Sequence, residues 1–324
     1  MSEASNRVAT RDKEDPTSPP PEETVDWRTK LRYFLNSDFV RSSPYWGIPF
    51  LLMGIAVYGG IGYNILISLT DYEGIGEPNF SNLDLEMYRT ALADGAFREA
   101  VIHNFVLIVA FTTMSLALGL FLAILLDHGI RYKDKIQTIY LLPMALSFVV
   151  TAQLWLWMYN PSRGVVNVII TTFGFDSIDW LGNPRFALAA VILALVWQFS
   201  GYAMVVYLAG LQSLPDDQFE AAKVDGASPF RTYLKIIVPQ LKESSVAAAV
   251  VLMLFALKAF DFLYALLGSY RPPTGTDIMA TLMVREALQF GRWAYGAAIA
   301  TMLLLLALGI IAPYLAYQHR QGSL

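Results

Sequence analysis

Six stretches of this chain, 47–70, 105–126, 140–159, 186–208, 246–267 and 295–318, are each long and apolar enough to cross a lipid bilayer. The hydrocarbon core is about 30 Å thick, so a helix needs about 20 residues to span it. Lipid offers no partner for backbone amides and carbonyls, and a spanning segment must therefore be a helix or a strand of a closed barrel. These runs lack the polar/apolar alternation of a barrel strand, which leaves helices. The expected fold class is an all-α membrane protein with six transmembrane helices. Composition agrees, with 55% of the 324 residues hydrophobic and 15% charged, a balance outside that of soluble domains.

An even number of spans puts both termini on one side, and the Lys and Arg residues choose it. With the N-terminal tail inside, 15 of the 23 fall on the cytoplasmic side, seven fall outside, and Lys258 lies within a span. Both termini, and the loop 212–245, are expected in the cytoplasm. The first residues, 1–26, are polar and proline-rich, without the apolar core of a secretion signal, and read as a disordered tail. Over 27–45, Trp27, Leu31, Phe34 and Leu35 recur at helical spacing among Arg28, Lys30 and Arg32, the pattern of an amphipathic helix at the membrane interface. The six-helix domain is expected over 46–318, with a short cytoplasmic end at 319–324. Residues 71–103 carry seven acids against Arg89 and Arg98. Such an external loop is a solvated surface or the face of a binding partner.

The most informative loop is polar and lies between two apolar runs. Pro215 suits the first turn of a helix, Asp216 and Asp217 complement its positive end, and Gly226 suits a left-handed stop. A short helix over 215–225 is expected. Ser228 can cap a second one that begins at Pro229 and ends near Pro239, with Phe230, Tyr233, Leu234 and Ile237 as its apolar stripe. Ala221, Ala222 and Ala227 permit close approach, and Glu220, Asp225 and Arg231 offer charge. Such a knob fits a groove on a partner protein, or is a solvated pair of loop helices.

Glu220, Ala221, Ala222, Asp225, Gly226, Ala227, Phe230, Ile237 and Pro239 resemble the EAA loop of ABC importer permeases, and the resemblance to the sugar-uptake branch extends over 46–318. It also takes in Asn160, Pro161, Gly164 and Asn167 after a tryptophan-rich span end, and 255–261 followed by 291–298. The chain departs from the usual glycine-rich external turn at 268–277. The resemblance implies the type I importer permease architecture and alternating access. It further implies that the loop is seated on a dimer of ATP-binding subunits, with Glu220 meeting a basic residue there. ATP and Mg would belong to that partner, with no cofactor on this chain. An extracytoplasmic sugar-binding protein would deliver a monosaccharide, such as a pentose or glucose, or a short oligosaccharide. Another solute, such as glycerol phosphate, is the alternative within transport, and a membrane enzyme is the rival outside it.

Lys258 and Asp261 are charges inside an apolar run, a costly placement that marks either a solute path or an internal ion pair. On a continuous helix this i, i+3 pair shares a face and can neutralise itself. Phe260 and Phe262 flank Asp261, where a ring beside a carboxylate suits a sugar. Gln153, Asn104 and Gln198 are further polar side chains inside spans, able to line a path or to bond a neighbouring helix.

No G-x-x-x-x-G-K-S/T loop occurs, so the chain does not cradle ATP phosphates that way and energy must come from another subunit. His103, His128 and His319 lack metalloprotease spacing and read as interfacial or solvated, and no G-x-S-x-G elbow is present. There is no cysteine, which excludes disulfides, thiol catalysis and cysteine-held metal, and a net charge of -4 gives no reason to expect nucleic acid. Six spans without an internal repeat are few for an enclosed path, which favours pairing with a second, different permease.

Overall fold

The computed structural model describes residues 27, 34, 37–127, 132–215, 217–268 and 275–320. The expectations for the tail 1–26, for Leu31 and Leu35, for Asp216, for His128 and for most of the turn after the fifth run lie outside those residues. Among the described residues the chain is helical and contains no strand. It divides into two units, Met1–Tyr63 and Asn64–Leu324.

The first unit is carried by α1 (Asp38–Ser68), which continues beyond its end. Trp27 and Phe34, expected in an interfacial helix, are helical and exposed. Residues 38–45 already belong to α1, so this part of the expected interfacial segment is continuous with the first span. Phe50, Leu51, Leu52 and Met53 project on successive sides and are all exposed, as suits a helix whose solvent is lipid.

The second unit is built around α7 (Pro184–Gln212), an apolar helix buried on most sides. A helix hydrophobic all round belongs in an interior. It packs along α3 (Gly95–Asp127), and small residues let the two backbones meet. A Cβ added to Gly119 of α3 would lie 2.5 Å from Ala203 Cβ and 2.7 Å from the Met204 amide nitrogen of α7. Lacking a hydrophobic drive between helices, membrane interiors depend on this sort of close contact.

Two of the six apolar runs are not straight helices. The run at 140–159 begins in the amphipathic helix α4 (Lys133–Leu141), passes through a tight turn at Leu142–Ala145, and restarts as α5 (Phe148–Met158). The two arms lie at 100°. Pro143 cannot extend the helix before it, and the Ser147 side chain caps the next by accepting from the Val150 amide at 3.3 Å. The run at 246–267 is likewise broken, into α10 (Lys242–Leu257) and α11 (Phe260–Leu267). Among the described residues four helices are long and apolar enough to cross a bilayer alone, and two bent pairs, Lys133–Ala145 with α5 and Tyr233–Gln240 with α10 at 62°, raise the number to at most six.

At one end of the second unit, side chains tie α3 to α12 (Met279–Val284), and Phe97 of α3 shares an apolar cluster with Tyr295 and Ile299 of α13 (Trp293–Arg320). Asn104 Oδ1 accepts from the Met279 amide at 2.9 Å. His103 Nδ1 meets the Asp277 carbonyl at 2.9 Å, so this histidine is a tie between segments rather than a solvated ring. The Asp277 carboxylate pairs with Arg285, and Glu286 pairs with Arg292 at 2.8 Å. Burial pushes the Glu286 carboxyl above the ordinary carboxylate range, against the pull of Arg292 and Arg285.

Candidate functional site

The loop expected over 212–245 folds as two short helical pieces joined at a glycine. Helix α8 (Asp217–Val224) ends as expected: Gly226 sits at φ +68°, its amide donates to the Lys223 carbonyl at 3.1 Å, and the Ala227 amide donates to Ala222 at 3.0 Å. Those bonds satisfy carbonyls that a helix end leaves open. Asp217, Glu220, Ala221 and Val224 recur at i, i+3, i+4 and i+7 and are all exposed, Val224 at 87%, while Ala222 is buried. The result is one outward stripe with two carboxylates, a small residue and an uncovered apolar tip.

Pro229 opens α9 (Pro229–Thr232), which runs into a wider π turn at Tyr233–Ile237 and a helical turn at Val238–Gln240 that includes Pro239. The expected apolar stripe is altered by that turn. Tyr233 and Ile237 are buried, but Leu234 is 51% exposed, because a π turn rotates successive residues differently from an α-helix. The buried pair packs with Leu122 and Leu126 of α3 and with Met204, Tyr207 and Leu211 of α7. The loop therefore has an outward half, α8, and a half seated on the ends of two long helices.

The second feature is a cavity of about 350 Å3 where α5 restarts, lined by Ser147, Phe148, Gln198, Phe199, Phe255 and Asp261 among others. That volume lies within the usual range of small-molecule sites, about 300–1,000 Å3. Gln198 is 2% exposed; its amide nitrogen donates to the Leu146 carbonyl at 3.0 Å, and its oxygen has no partner. Burying an amide oxygen without a hydrogen bond costs on the order of 1–3 kcal/mol. Phe148, Phe199 and Phe255 form a mutual aromatic set, with ring centres between 4.5 and 6.4 Å.

Lys258 and Asp261 do not occupy one helix. Lys258 follows the last residue of α10 and Asp261 lies in the first turn of α11, with non-helical backbone at Lys258 and Ala259 between the helices. Both are exposed, and among the described residues no ion pair joins them. The expected self-neutralising pair is thereby corrected: the break separates the faces that a continuous helix would have aligned. Phe260 stacks on Tyr264 at 5.7 Å, and Gln153 donates to the Ala265 carbonyl at 3.0 Å. Only Asp261 of the four expected path residues lines the cavity. The lining residues Ser147, Phe148, Phe199 and Phe255 escaped the sequence reading, since a hydropathy window does not register a bend. The available signal was Pro143 followed four residues later by Ser147, a breaker and then a cap.

The family described as binding-protein-dependent transport system inner membrane component matches residues 115–321, a stretch holding the loop and the cavity. The chain belongs to that family. This permease is 71% identical to the xylose/arabinose import permease protein XacH of Haloferax volcanii, over 98% of its own length and all of that protein's. It is 47% identical to a probable ABC transporter permease protein of Pyrococcus horikoshii, over 83% of this chain and 92% of that one. A chain from the crystal structure of a bacterial ABC transporter involved in the import of the acidic polysaccharide alginate superposes with a TM-score of 0.73 at 22% identity. The match covers 87% of the permease and 97% of that chain. That likeness carries the fold, the type I importer permease architecture. The resemblance read from the loop is borne out, and the permease is a transport component rather than an enzyme.

Proposed function

We propose that this permease is a membrane subunit of an ATP-driven importer of pentoses, of the xylose and arabinose class. The observation that carries this reading is the 71% identity to a xylose/arabinose import permease across both full lengths. The α8 stripe, with the exposed carboxylates of Glu220 and Asp217, is the docking face for a dimer of ATP-binding subunits, which hold ATP and Mg. Asp225, Gly226, Ala227, Phe230 and Pro239 belong to the same docking loop. Both termini and this loop face the cytoplasm, as the distribution of Lys and Arg supports. A second, different permease completes the path, and an extracytoplasmic sugar-binding protein feeds it.

Within the path, Asp261 and the free oxygen of Gln198 accept hydrogen bonds from sugar hydroxyls, while the Phe148, Phe199 and Phe255 rings cover the apolar face of the sugar. Lys258, exposed at the helix break, is the second charge of the path, and Phe260 and Gln153 brace the adjoining wall.

A host deprived of its own pentose importers and given the complete system should take up labelled xylose and arabinose, and should lose uptake when this permease is omitted. Uptake of neither sugar would overturn the cargo. Asp261→Ala should lower pentose uptake by about tenfold or more, the effect of losing a hydrogen bond to a charged group. Gln198→Leu should lower uptake less. Wild-type uptake in both variants would remove the cavity from the path.

A further inference from the structure

The contacts beneath α8 form a continuous route from the outward stripe to a long helix. Phe219 of α8 meets the Tyr233 ring edge-on, with centres 5.8 Å apart. Tyr233 is buried, and its hydroxyl donates to Asp127 Oδ2 at 2.6 Å. Asp127 is the last residue of α3. A carboxylate is disfavoured at that end of a helix, where the macrodipole is negative, so a donor aimed at it offsets an otherwise unfavourable placement. Tyr233 is also the first residue of the π turn, a geometry often found at functional positions. A ring alone would serve the packing against Leu122, Leu126 and Tyr207; the hydroxyl adds a directed bond between the loop and α3.

We propose that Tyr233 is a positioning residue that hands movements of α8 to the end of α3, so that ATP hydrolysis by the partner and solute movement stay in step. This rests on the reading of α8 as the ATPase-docking element. A displacement of α8 presses on the Tyr233 ring through Phe219, and the bond to Asp127 passes it to a helix that packs along the length of α7.

The test is the amount of sugar imported per ATP hydrolysed, measured on the complete importer in proteoliposomes with its loaded binding protein. Tyr233→Phe keeps the ring against Phe219 and removes the bond. It should leave stimulated hydrolysis in place while the ratio falls by about tenfold, the loss expected for a hydrogen bond to a charged group. Asp127→Ala should match it, Asp127→Asn should retain most of the ratio because an acceptor remains, and the double variant should be no worse than either single one. An unchanged ratio in Tyr233→Phe overturns the proposal. So does a parallel loss of hydrolysis and import, or loss of the ATPase from the purified complex, since those mark a merely structural role. The wild-type complex distinguishes the two readings. If it responds to a loaded binding protein but carries a sugar other than a pentose, the cargo reading fails and the ratio is taken with that sugar.

Discussion

Replacing Gly226 with proline should abolish sugar uptake while leaving the permease in the membrane at its normal abundance. Gly226 sits at φ +68° and its amide hydrogen-bonds the Lys223 carbonyl. Proline fixes φ near −65° and has no amide hydrogen, so it cannot make this turn, and the cost is about 3 kcal/mol or more. The cost falls locally, on the connection between α8 and the seated half of the loop, which displaces the docking stripe without touching the long helices. A graded series separates conformation from bulk, because no atom lies within 4 Å of a Cβ built at this position. Asparagine, which tolerates the left-handed region, should retain most uptake; alanine, at about 1–2 kcal/mol, should be intermediate. Radiolabelled uptake, with an immunoblot of the membrane fraction, reads the series. Equal uptake by glycine and proline variants would show that the turn does not position the loop.

The second large effect is expected inside the membrane domain. A leucine at Gly119 would push its Cβ against Ala203 and the backbone nitrogen of Met204. Backbone on a buried helix cannot swing aside, so α3 and α7 must separate, at a cost of about 1–3 kcal/mol or more. The purified complex should melt several degrees below wild type, or fail to accumulate. Gly309→Leu is the control, since that glycine lies in α13 with nothing within 4 Å of its Cβ, and it should leave the melting temperature unchanged. Ala203→Gly should partly rescue Gly119→Leu, because it removes the nearest of the obstructing atoms.

Much of this arrangement is legible in the residues. The long runs at 105–126, 186–208 and 295–318 fall within α3, α7 and α13, and the run at 47–70 overruns the end of α1 by two residues, because length and hydropathy alone decide a span. The loop is equally legible: Pro215, Gly226, Ser228 and Pro229 are local turn chemistry, and the φ of Gly226 follows from it. The bend at Pro143–Ser147 and the break at Lys258–Ala259 are not legible by hydropathy, since both sides of each are apolar. Those two interruptions decide the site. The first makes room for the cavity, and the second sets Lys258 and Asp261 on separate helices, so the i, i+3 rule that paired them lost its premise. Gln198 was visible as a polar residue in a span, but its unpartnered oxygen depends on where Leu146 lies after the bend. The register of Tyr233 against Asp127 was hidden for a related reason: a π turn has no sequence period of its own, and the two residues are 106 positions apart.

The measurement closest to the central claim is ATP hydrolysis by the reconstituted importer, with this permease, its partner permease and its ATPase, as binding protein is added with and without pentose. Xylose- or arabinose-loaded binding protein should raise hydrolysis severalfold and drive sugar into the vesicles, and Gly226→Pro should remove both. Hydrolysis that ignores the loaded binding protein, or a permease that retains no ATPase through purification, would contradict that claim.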